Sequence, residues 1–113
     1  MEIIDIKKQE GGKAGEAFVQ TIFERHTAQT VKFSFGTALF PAGARVPAQG
    51  SGSHEGDEYS LILKGEIHTS ACGVEARVRQ GQASFIPAGE THWAKNVSND
   101  DCEIVWVLIE EVA

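Results

Sequence analysis

Along most of this chain apolar and polar residues alternate with a period of two. The segment VEARVR (74–79) sets Val74, Ala76 and Val78 on one face and Glu75, Arg77 and Arg79 on the other, as a strand does. No apolar stripe at helical spacing persists for three turns. Glycines at 36, 43, 50, 52, 56, 65, 73, 81 and 89 cut the chain into short runs rich in Val, Ile, Phe and Thr. The pattern predicts strands over 2–7, 17–24, 31–40, 58–64, 66–71, 74–79, 83–86, 91–97 and 102–110. Short strands at regular spacing between turn signals indicate an all-β sandwich or barrel. The run CEIVWVLIE is nearly continuous in apolar residues, the pattern of a strand buried on both faces. KKQEGGKAGEAF reads as an exposed loop.

Composition narrows the class without changing it. With 113 residues, 42% apolar and 23% charged, the chain reads as one domain, 1–113, with a core of ordinary size. A net charge of −6 argues against nucleic acid as a partner, because phosphate binding needs a basic surface and the ten Lys and Arg are scattered. The longest apolar run is far short of a membrane span, and the first residues, MEIIDIKKQEGG, carry charge where a secretion signal is apolar. The expectation is a cytoplasmic protein with no membrane partner. Cys72 and Cys102 form no CxxC pair; reduced thiols are expected, with a cross-strand disulfide as the alternative.

Candidate chemistry sits in two clusters. In SHEGDEYSLILKG (53–65), an extended backbone puts His54, Glu58, Ser60 and Ile62 on one side and Glu55, Asp57 and Tyr59 on the other. Ile62 is a natural core residue, so the His54–Glu58 side faces inward. An inward carboxylate needs a partner or a metal. In GQASFIPAGETHWAKN (81–96), Pro87-Ala88-Gly89 is a turn, after which His92, Ala94 and Asn96 share a face and Trp93 points away. Two histidines and a carboxylate converging across a barrel form a site with open positions, suited to iron(II) and open to Mn, Ni, Co or Zn. Without metal, the same three side chains would bond one another or a ligand. Neither Ser60 nor Tyr59 has a base at a telling spacing, so nucleophilic catalysis is not indicated.

The two clusters resemble the paired motifs of the cupin superfamily, in its small single-domain form. The second motif is matched at every interval by Gly81, Pro87, Gly89, His92 and Asn96. The first is matched by His54, Glu58 and Gly65. With the lead-in FGTALFPAGARVP, the resemblance runs from about 31 to 110, leaving 1–30 as N-terminal strands and loop. It implies a double-stranded β-helix (jelly-roll) barrel with the metal or ligand inside. The usual first motif carries a second histidine two residues before His54, where this chain has Gly52; counted from Val46-Pro47, the equivalent is Gln49, which offers a carbonyl oxygen. HEGDE is also similar to the HEGEE-like run of effector-binding cupins in helix-turn-helix repressors. His-x3-Glu with a later histidine is similar to the metal triad of the iron-dependent hydroxypropylphosphonate epoxidase cupin. The triad carried over is His54, Glu58 and His92.

The resemblance implies a divalent metal held by that triad and a small oxygen-rich ligand, a carboxylate or hydroxy-carbonyl, bound at the open positions. Ser60, His68, Asn96 and Gln49 are secondary candidates for the pocket. Asn96 also reads as a strand asparagine satisfying backbone, and His68 as a surface histidine. His26 should be exposed, and Trp106 should sit in the core or at a pocket wall. Three functions stay open: a dioxygenase, isomerase or lyase; a non-catalytic ligand sensor; and a metal-free structural barrel. A homodimer is expected, with an N-terminal strand edge to cover.

Overall fold

The computed structural model describes residues 1–6 and 12–112. Ten strands follow in order: β1 (Gly12–Ala14), β2 (Ala17–Ala28), β3 (Val31–Phe40), β4 (Arg45–Val46), β5 (Asp57–Lys64), β6 (Glu66–Ala71), β7 (Val74–Arg79), β8 (Ala83–Ile86), β9 (His92–Lys95) and β10 (Cys102–Glu111). They form a six-stranded sheet, β1-β2-β3-β10-β5-β8, and a four-stranded sheet, β4-β9-β6-β7. Every strand pairing is antiparallel. The result is an all-β jelly-roll barrel: the alternating pattern predicts the all-β class, and the cupin resemblance implies the jelly roll. Among the described residues there is no helix, so none is long and apolar enough to cross a membrane.

Alternation sorts the side chains. Ile62, Ile104 and Ala38 lie in one cross-strand row of the large sheet, and Ile67 lies opposite Val78 in the small one. All five are buried and form the core with Ala17, Phe40, Ala44 and Cys102. Glycine at position 36 is required by packing: a Cβ there would collide with the Gln20 carbonyl and come within 2.5 Å of Trp106 Cζ2. The Trp106 ring therefore lies across β3 on the inner face.

The edges of the sandwich close by backbone bonds. At one edge the β1–β2 turn docks on β4, where Glu16 N–H donates to Arg45 O at 2.9 Å and the Glu16 carboxylate accepts from Arg45 N–H at 3.1 Å. At the other, Gly81 N–H donates to Ile62 O at 2.9 Å and Ile62 N–H to Gln82 O at 3.0 Å.

Three readings of the sequence need correction. Residues 2–6 form no strand; Met1–Ile6 is irregular, held by a Glu2–Arg25 ion pair at 2.7 Å, and position 7 lies outside the described residues. The loop expected over 7–18 contains β1 and the start of β2, since Gly15 takes φ 57° and turns the chain back on itself; positions 7–11 lie outside the described residues. β10 is central but not buried on both faces. Ile104 is 8% exposed on the inside and Ile109 39% on the outside.

The cysteines are free thiols, Cys72 exposed and Cys102 buried. Burial pushes the Cys102 thiol up to about 11, and the charges of Glu103 and Glu66 add to the shift.

Candidate metal centre

His54, Glu58 and His92 come together at one end of the barrel. One ligand atom from each lies within 4.8 Å of the others, and His54 Nε2 stands 3.7 Å from Glu58 Oε2. The two imidazoles meet edge to face with centroids 4.8 Å apart. Glu58 is placed by β5, paired to Leu108 and Ile86 on either side. His92 opens β9. His54 is not on a strand at all: β5 begins at Asp57, and the inward turn of His54 comes from the bend before it.

Backbone bonds set that bend. Gly89 N–H donates to His54 O at 2.8 Å, tying the first histidine's loop to the Pro87–Gly89 turn. Asp57 accepts from Ala88 N–H at 2.9 Å, so this acid clamps the same turn and is not merely solvent-side charge. On the other side, Gly52 and His92 exchange both backbone bonds, at 3.0 and 2.8 Å. Directly paired residues project to the same face, so a Cβ on Gly52 would stand beside His92. It would meet only Pro47 Cγ at 3.9 Å. The position of the missing histidine thus faces the site and is open.

Each histidine presents a defined nitrogen. His54 Nδ1 is 2.9 Å from Gly56 O, and His92 Nδ1 is 2.9 Å from Glu90 O. A carbonyl only accepts, so each Nδ1 carries the proton, and in the neutral ring each Nε2 keeps its lone pair. This is how metal-ligating histidines are oriented by their outer partners. His54 Nε2 is buried and has no hydrogen-bond partner. An orphaned buried nitrogen facing a carboxylate and a second imidazole fits a divalent metal.

The triad opens on a cavity of about 300 Å³, at the small end of the range for small-molecule sites. Among its lining residues the ionisable groups are the triad alone; Ser60, Ser84 and Thr69 add hydroxyls, and the rest is apolar apart from the Trp106 indole. Ser60 and Trp106 therefore line the cavity. Neither Ser84 nor Thr69 was flagged by sequence; strand parity would have found both, Ser84 lying opposite Ser60 and Thr69 opposite Ala94.

The other secondary candidates stand elsewhere. Gln49 is exposed in the loop before Gly52 and does not line the cavity. His68 points outward from β6, 3.5 Å from Glu75 and edge-on to Trp93, because the Gly65 turn (φ 80°) puts Ile67 and Thr69 on the inside. Asn96 is wholly buried but outside the cavity. It donates to Phe40 O and Asp100 O at 2.9 and 2.7 Å and accepts from Ser98 N–H and Oγ–H at 3.0 and 2.8 Å. His26 is exposed.

Comparison with known proteins gives a consistent picture. A family model described as a cupin domain matches residues 36–108. An oxalate-binding protein of Thermotoga maritima is 28% identical over 107 residues, covering 92% of this chain and 84% of that protein. The crystal structure of TT1209 from Thermus thermophilus superposes with a TM-score of 0.73 at 23% identity, covering 100% of both chains. A Cupin 2 conserved barrel domain protein from Salinispora arenicola reaches 0.74 at 16% identity, covering 96% of this chain and 87% of that one.

Proposed function

The chain belongs to the cupin family, and on that premise we propose that it binds a divalent metal through His54, Glu58 and His92 and uses it to hold a small oxygen-chelating carboxylate or hydroxy-carbonyl. The observation that carries this reading is the buried, unpartnered Nε2 of His54 beside Glu58 and His92. The oxalate-binding relative supports the ligand class, since oxalate chelates through two oxygens. Among the described residues, no lysine or arginine lines the cavity to receive a carboxylate. When bound, the metal supplies that positive charge, and Fe, Mn, Ni, Co and Zn all suit the donor set.

Binding or sensing is favoured over turnover by one feature. Among the described residues, no ionisable side chain lines the cavity beyond the three ligands, so none there is free to act as general acid or base. The competing reading, a dioxygenase, isomerase or lyase, needs the bound ligand to change. Metal-free protein dialysed against each of the five metals should retain about one ion per chain, and oxalate should then bind only to the loaded form and be recovered intact. Less than a tenth of an ion per chain with every metal sinks the metal reading. Conversion of oxalate, or of the 2-oxo acids considered below, moves the protein to the enzymes.

The free thiols suit a reducing cytoplasm. A second copy of the chain is the partner we assign to the outer face of the large sheet, where Tyr59, Leu61, Leu63, Phe85 and Ile109 are 39–51% exposed. Light scattering at micromolar concentration should then give twice the 12.2 kDa chain mass; a monomer refutes the assignment.

A further inference from the structure

We infer that the ligand of this site is a carboxylate with an apolar body, a 2-oxo or 2-hydroxy acid carrying a hydrocarbon side chain, in preference to oxalate itself. The inference rests on the metal-anchored reading above and adds what the rest of the cavity selects.

Strand register arranges the lining in three layers. The first holds Glu58, flanked by Leu108 and Ile86, with His92 facing from the small sheet. Two residues deeper, Ser60 pairs with Ser84 and Trp106, while Ala94 pairs with Thr69 and Val46 in the other sheet. Two residues deeper again, Ile62 pairs with Ile104 and Ile104 with Ala38, opposite Ile67. From Glu58 to Ile62 is four residues of strand, about 13 Å. Exposure falls along the same axis: the His54 and Glu58 side chains are 28% and 27% exposed, Ile62 and Ile67 only 2% and 4%. The charged end is the mouth, and the blind end is hydrocarbon.

That order dictates how a ligand lies. Its chelating oxygens stay at the mouth with the triad. The middle layer offers the unpartnered Trp106 Nε1–H and three hydroxyls, of which Thr69 is already committed to Trp93 O at 2.8 Å. The floor offers no donor to an anion. Oxalate leaves the apolar floor unfilled, since its outer oxygens reach no deeper than the middle layer of Ser60, Ser84 and the unpartnered Trp106 Nε1–H. A hydrocarbon chain on a 2-oxo acid fills that floor with apolar burial, and each buried methylene tightens binding about fourfold.

The test is a homologous series read by calorimetry: pyruvate, 2-oxobutanoate, 2-oxopentanoate and 2-oxohexanoate, with oxalate alongside. Each acid is titrated into nickel-loaded and into metal-free protein. Affinity should climb about fourfold per methylene, on the order of fiftyfold across the series, with 2-oxohexanoate above oxalate. In metal-free protein the slope should persist at lower absolute affinity, because the floor is the same. Ser84→Leu, which narrows the middle layer from an edge strand, should flatten the slope, with the loss of affinity growing from pyruvate to 2-oxohexanoate. A flat series in both forms, or oxalate as the tightest ligand, overturns the inference while leaving the metal site standing. Failure to load metal with a rising series in the metal-free protein does the reverse. A slope unchanged in a Ser84→Leu protein that still binds pyruvate overturns the placement of the side chain in the layers.

Discussion

A His92→Ala protein is expected to leave metal loading with less than about a tenth of the metal per chain that the wild type retains. Loss of an outer-shell partner of a metal ligand costs about 10–100-fold in affinity, and loss of one ligand in three should exceed about 100-fold. The readout extends to stability. At a free metal concentration of 100 times its Kd, the wild type gains about 2.7 kcal/mol, whereas a site weakened 100-fold gains about 0.4. The difference, about 2 kcal/mol, is on the order of 10 °C in Tm for a domain of this size. Without metal the two proteins should melt close together, because the His92 side chain makes one hydrogen bond, to Glu90 O at the surface end of the barrel. Elemental analysis and paired melts with and without metal check both halves. Equal metal content in the two proteins would remove His92 from the site.

Asn96→Ala is expected to have the opposite profile, a large loss of stability with metal content per folded chain unchanged. Asn96 is 0% exposed and makes four hydrogen bonds from one side chain. Its amide serves the carbonyl of Phe40, itself 6% exposed, and its oxygen organises the 98–100 turn that leads into β10. Truncation leaves that buried carbonyl without its side-chain donor, at about 1–3 kcal/mol, and removes three further bonds worth about 1 kcal/mol each or less, so a total near 4 kcal/mol is expected. Urea titration measures it directly. A loss below about 1 kcal/mol would mean that the turn holds itself. Because the cavity is lined by Ala94 and not by Asn96, the loaded metal should remain at the wild-type ratio.

The contrast between these two residues shows what the sequence conveyed. Period-two alternation was enough to put Glu58, Ser60 and Ile62 on one inner face and to send Trp93 away from His92. It reached the right side for His54 by the wrong route: the chain bends at residues 55–56, and the histidine's loop is fixed by the Gly89 N–H to His54 O bond, which joins positions 35 apart. Such a bond leaves no trace in a local pattern. His68 illustrates the converse. Its parity depended on whether the turn at 64–66 preserved alternation, and Gly65 at φ 80° decided it. The N-terminal segment shows the same limit of a local pattern. MEIIDI has the apolar content of a strand, but among the described residues it finds no strand partner and is tied by the Glu2–Arg25 ion pair. The cavity floor was legible only as core, since Ile62 and Ile67 look alike whether they pack on other side chains or on a ligand.

The reciprocal clasp at the mouth has a consequence for motion. The His54 loop is pinned to the turn before His92, and His92 is pinned to Gly52 in the loop before His54. Neither backbone segment can lift without breaking bonds that hold the other. Opening of the mouth is then cooperative, and an ion held by the triad would bridge the two loops and favour the closed mouth.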